Sequence, residues 1–218
     1  MIRNSKCQLC SSLSLKFRSL LARFIGGSYL CRHLNRRTAD DRQRVAAINS
    51  EAPDCHCEKF RTSRYSPRPV EGAETLARFI LTPIHFKKGK FLPSIFSQAG
   101  TEGCSIQRES LASTNELAAL VRGMTASGKQ NWYGVLSATC QSVRDIKIAG
   151  KEFRTLCVFD TSNKHNPAHA ELCHSQHVIE EADRLEVRRH LFAAFGSGAY
   201  VTPANYRSGE VEKLLVGS

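Results

Sequence analysis

Charge is divided unevenly along this chain, and that division constrains its fold more than any other feature. Residues 1–68 carry 14 Lys+Arg against 5 Asp+Glu, whereas residues 69–218 carry 17 against 15. The excess is therefore +9 in the first third and +2 in the remainder, which together give the +11 of the whole chain. Residues 1–39 hold eight basic residues and no acidic one. A stretch with such an excess of one charge is a poor builder of a packed core, because its charges repel and resist desolvation. The turn-forming run Ser66-Pro67-Arg68-Pro69 then marks a boundary. The expected organisation is a loosely ordered basic leader over 1–68, followed by a compact domain over 69–218 that is long enough to bury its own core.

Within the leader, Lys16-Phe17-Arg18-Ser19-Leu20-Leu21-Ala22-Arg23-Phe24-Ile25 is amphipathic, and Gly26-Gly27 ends it. An Arg- and Ser-rich, acid-poor start reads as an organelle transit peptide if the source is eukaryotic. It reads also as a basic arm that holds nucleic acid non-specifically through its phosphates, or that lies on an anionic membrane surface. A leader with no role of its own is the plainest reading. Arg18 and Arg23 break the apolar stretch, so a secretory signal fits poorly. No run of roughly 18 apolar residues occurs, so no segment reads as a transmembrane helix.

Nine cysteines at scattered spacings argue for free thiols in a reducing, cytoplasmic setting rather than a disulfide framework. Five lie in the leader, as Cys7-x-x-Cys10, Cys31-x-His33 and Cys55-His56-Cys57. Zinc is the cofactor such pairs would hold, but only Cys7 and Cys10 have a familiar ligand gap. Free thiols are the preferred reading, and no metal ligand is assigned.

The remainder reads as α+β: a small mixed or antiparallel sheet with two or three helices. Residues 76–82 form a strand stopped by Pro83, and 91–96 and 104–107 are shorter strand candidates. Ser113-Thr114-Asn115-Glu116 is a capping-box pattern opening a helix near 114–126. Residues 132–139, 142–148 and 153–159 read as strands. Asn166-Pro167 reads as a helix opening, since Asn can cap and Pro is tolerated in the first turn. The helix is expected to reach Phe195, with a break near Arg184 and with Val178, Ile179, Ala182, Leu185, Phe192 and Phe195 facing inward.

Candidate chemistry gathers around that opening. His169 would lie in the first helical turn, where free backbone N–H groups favour an anion and imidazole can transfer a proton near neutrality. Asp160, Asn166 and Glu171 surround it in sequence as ligand-binding candidates. On a helix, His169, Cys173 and His177 share one face, a spacing that metal sites use; the plainer reading leaves His174 and His177 facing solvent. Arg78 and Arg108 are suited to a bidentate grip on phosphate or carboxylate, or to ordinary ion pairing with Glu74, Glu109 or Asp160. His85 and Ser105 accompany them. The catalytic candidates are thus His169, Arg78 and Arg108, provided that they converge.

No phosphate-binding Gly-x4-Gly-Lys-Ser/Thr, Gly-x-Gly-x-x-Gly, Gly-x-Ser-x-Gly or His-Glu-x-x-His pattern is present. The order Arg78, Pro83-x-His85, Ser105-x-x-Arg108, Asp160 and Asn166-Pro167-Ala168-His169-Ala170-Glu171 resembles small bacterial proteins of unassigned function over residues 74–175. That resemblance implies no activity. The leading functional expectation is a domain that binds or acts on an anionic small molecule, phosphate-bearing or a nucleotide, through an Arg/His pocket. The alternatives are a nucleic-acid-associated accessory protein working through residues 1–68, and a non-catalytic protein-interaction module.

Overall fold

The computed structural model describes residues 33, 41–61, 63–197, 201, 202 and 206. The amphipathic segment 16–25 and Cys7, Cys10 and Cys31 lie outside these. The described elements, in chain order, begin with helix α1 (Arg44–Glu51) and strand β1 (Thr75–Thr82), then the short strands β2 (Phe86–Lys87) and β3 (Lys90–Phe91). A 3-10 segment (Pro93–Gly100), β4 (Cys104–Arg108), α2 (Thr114–Thr125), β5 (Asn131–Thr139) and α3 (Cys140–Arg144) follow. The last are β6 (Leu156–Asp160), β7 (His169–His174) and α4 (Glu181–Ser197). The chain is thus α+β, with four α-helices among the described residues where the sequence suggests two or three. Among the described residues no helix is long and apolar enough to cross a membrane.

Five strands pair antiparallel in the order β5-β1-β4-β7-β6, while β2 and β3 form a separate hairpin. Register decides which side chains share a face. Leu76 lies opposite Arg108, Ile106 opposite Ala170, and Val158 opposite Leu172, so these project from one side of the sheet. The main core forms there, where Ile95 and Phe96 of the 3-10 segment, Val143 of α3 and Val187, Leu191 and Phe195 of α4 cover the strands. Opposite them, Ala77 pairs with Gln107, Gln107 with His169, and Cys157 with Cys173. Two smaller cores cover this second side. Val45 and Ile48 of α1 pack on Cys157, Phe159 and Cys173, and Leu117, Ala118 and Val121 of α2 pack on Ala77, Phe79 and Val135.

The boundary drawn from charge does not coincide with the edge of the packed body. Helix α1 lies in the basic first third, yet Val45 and Ile48 are buried on the sheet. Its one cation finds partners instead of solvent: Arg44 pairs with Glu171 and donates to the Glu102 carbonyl. Cys55, expected as a free thiol, is joined to Cys157 of β6 by a disulfide.

Three element expectations are corrected. The helix expected from Asn166 is a turn and a strand, with a helix only from Glu181. Asn163 Oδ1 accepts from the His165 and Asn166 amides, so Asn166-Pro167 closes a local turn instead of opening a helix. Every residue from Ala170 to His174 is buried, as suits β7, a strand paired on both edges and covered on both faces. Residues 142–148 are not a strand, because Thr139 Oγ1 accepts from the Ser142 amide and opens α3. The 91–96 stretch is mostly 3-10 segment, with Pro93 in its first turn. Of the apolar residues expected to face inward there, Ile179, Ala182, Leu185 and Phe192 are exposed.

Candidate functional site

Arg78 and His85 meet, but their groups are already engaged. β1 pairs with β4 only at Leu76↔Arg108 and Ala77↔Gln107. Beyond that short ladder the Arg78 guanidinium donates to the carbonyls of Ser105 (2.7 Å) and Ile95 (3.1 Å). Its third nitrogen lies 3.5 Å from His85 Nε2, while His85 Nδ1 accepts from the Leu81 amide (3.2 Å). Burial, and then the Arg78 charge, push the His85 pKa down to about 4, so the ring is neutral at neutral pH. Both side chains act as internal struts. Ser105 contributes its carbonyl to this arrangement, and its side chain is exposed.

Arg108 is fully buried and bidentate on Glu74, with Nε and one terminal nitrogen each 2.8 Å from a carboxylate oxygen. It also donates to the carbonyls of Arg68 (2.8 Å) and Pro69 (3.3 Å), and Asp160 lies 3.7 Å away. Burial raises the Glu74 pKa, but the Arg108 hydrogen bond, the Glu71 amide and the charges of Arg108 and Arg68 outweigh it, leaving the pKa below the usual carboxylate range. Asp160 accepts from Ser162 through its amide and its hydroxyl. Arg108 thus uses four of its five N–H donors inside the protein and is fully buried, which leaves it no opening to a phosphate.

His169 stands on the other side of the sheet. Register places Gln107, His169, Glu171 and Ser105 together there, away from Arg78 and Arg108. His169 Nδ1 lies 2.7 Å from Thr161 Oγ1, Glu171 pairs with Arg44, and the Asn166 carbonyl accepts from the His169 amide. Burial lowers the His169 pKa. The expected convergence of Arg78, His85, Arg108 and His169 on one pocket is therefore corrected, since the sheet stands between them. His169 and Cys173 still share one side of β7, but His177 lies beyond the strand, so the three-residue face expected on a helix is not formed. Among the described residues no three His, Cys, Asp or Glu side chains are gathered to hold a metal ion. The Cys55 sulfur, being in a disulfide, is no thiolate ligand.

The residue that does open onto a cavity is His174, which the helical reading turned toward solvent. It ends β7 on the main-core side and is only 3 % exposed, and neither ring nitrogen has a hydrogen-bond partner. Burial, and then the charges of Arg184 and Arg188, push its pKa down to about 4, so at neutral pH it offers one donor and one acceptor. The cavity it lines is about 290 Å³ and is shared with Asn49 and Ser50 of α1, Gln176, and Arg184 in the first turn of α4. Arg184 Nε is likewise buried without a partner. Val45, Val178 and Ile179 supply an apolar wall. Gly100 closes the back, where a Cβ would lie 3.0 Å from His174 Nδ1. The Asn49 side-chain amide holds the His174 carbonyl at 3.0 Å and so ties α1 to the end of β7.

Comparison of the chain with protein-family models, with curated proteins and with solved structures gives no match in any of the three. The functional reading therefore rests on geometry alone.

Proposed function

We propose that this domain binds a small phosphate-bearing molecule in the pocket of His174 and Arg184. One observation carries the reading: His174 and Arg184, which line a single cavity, carry between them three buried nitrogens without partners. Buried polar groups are nearly always satisfied, so such a cluster calls for a polar occupant. A guanidinium N–H and a neutral imidazole N–H suit phosphate oxygens, and the Ser50 hydroxyl adds an uncharged donor beside them. The apolar wall of Val178 and Ile179 suits the carbon part of a phosphate monoester. At about 290 Å³ the cavity lies at the small end of ligand sites, which favours a monoester over a dinucleotide.

Calorimetric titration with inorganic phosphate and with phenyl phosphate tests the proposal. Binding of the ester should be saturable and tighter than that of phosphate, and roughly tenfold weaker in both His174→Gln and Arg184→Gln. Affinity unchanged in both variants would remove the pocket from the argument.

A further inference from the structure

A second concave surface lies between the 3-10 segment and α4, and its chemistry is different. We propose that it docks an acidic peptide segment carrying apolar side chains at helical spacing. The groove encloses about 370 Å³, and its floor and walls are Phe91, Leu92, Ile95, Leu185 and Phe192. Leu185 and Phe192 are 43 % and 40 % exposed, although both belong to a helix whose inner face is fully buried. They flank Arg189 along one line of α4, at positions i, i+7 and i+4, so the helix presents an apolar–cationic–apolar stripe.

The rim fixes the sign of the partner. Arg188 and Arg189 line the groove, and no acidic residue does. Arg188 is held by Glu181 and by the Arg184 carbonyl, whereas Arg189 is exposed and has no acidic partner among the described residues. The hairpin that supplies Phe91 carries Lys87, Lys88 and Lys90 at its tip, all exposed. Cations therefore stand among the apolar side chains of the trough and on the neighbouring hairpin, an arrangement complementary to carboxylates flanking Leu or Phe. The chain's own residues 1–39 are excluded as occupant, because they hold eight basic residues and no acidic one. A bilayer fits poorly because the apolar side chains line a concavity, and a flat surface would leave them uncovered. An aliphatic floor of Leu92, Ile95 and Leu185 likewise favours side chains over stacked bases.

This inference does not rest on the His174 pocket, so each can fail without the other. The test uses the full chain and a fluorescently labelled synthetic peptide of roughly 15 residues, rich in Glu and Asp with Leu and Phe three and four apart. Saturable binding that weakens with salt is expected, with no binding of the same peptide after its Leu and Phe are changed to Ser. Leu185→Ser and Arg189→Glu should each weaken it roughly tenfold. Both positions are exposed, so circular dichroism should show the fold retained, and either variant alone suffices if the other fails to fold. Equal binding of the Ser-substituted peptide, unchanged affinity in the folded variants, or binding to phosphatidylserine vesicles without binding to the peptide would overturn the proposal.

Discussion

A buried guanidinium is tolerated only with its partners in place, and Arg108 shows how narrow that margin is. Its charge is balanced by Glu74 at 2.8 Å, with Asp160 further off at 3.7 Å. Glu74→Gln keeps the size and removes the charge, so it should cost roughly 3–5 kcal/mol of unfolding free energy. Urea denaturation measures this, and a loss below about 1 kcal/mol would show that Asp160 alone suffices. The two buried histidines make a different demand. His85 and His174 have pKa values of about 4 in the fold, against about 6.5 for a free histidine. Above the free value neither state is protonated and both rings are silent. As the pH falls from there toward the folded value, the unfolded chain takes up protons that the native state does not, and stability declines. Changing both to Gln should flatten the stability–pH profile in that window; an unaltered slope would mean that the rings are protonated in place. Phosphate bound beside His174 should raise its pKa, so binding of phenyl phosphate should strengthen as the pH is lowered toward the mildly acidic range.

Elements were legible where one local signal stood without a rival. Ser113 and Glu116 form the reciprocal capping box that their spacing announces, and α2 follows as expected. The stretch from Asn166 carried a capping dipeptide that suits a turn as well as a helix, and pairing with β4 and β6 on both sides made the residues after it a strand. That outcome moved every candidate there. His169 became a partly buried residue beside Thr161, and His174 became the buried one. Helix α1 was illegible for another reason. Only eight residues long, it buries just Val45 and Ile48, too few positions to show a period beside Arg42 and Arg44. Val45, Ala46, Asn49 and Ser50 of the candidate pocket stand on it, so the pocket could not be read either. The 3-10 segment closes that pocket from behind at Gly100. Gly100→Ala should push the His174 ring by a few tenths of an ångström. The expected result is weakened binding of phenyl phosphate with little change in melting temperature, and unchanged binding would show that the ring has room to yield.

Over the whole molecule, the amino-terminal third contributes structure as well as charge. A chain beginning at residue 69 loses α1 and uncovers Cys157, Phe159 and Cys173. Burial of Val45 and Ile48 alone accounts for roughly 3–6 kcal/mol. Such a chain should melt at clearly lower temperature than the full chain or aggregate; an unchanged melting temperature would detach α1 from the fold. Strands β1 to β5 and most of the core lie within the covalent ring that Cys55 and Cys157, 102 residues apart, close around the chain. The exposed Lys87-Lys88 tip belongs to that ring, whereas β7 and α4 hang from it as a tail. A tryptic cut at the tip therefore opens the ring without parting the molecule. The two fragments should migrate together in a non-reducing gel and separate once the bond is reduced. A chain built this way tolerates a nick in its most basic turn and still presents the His174 pocket and the α4 groove on one connected body.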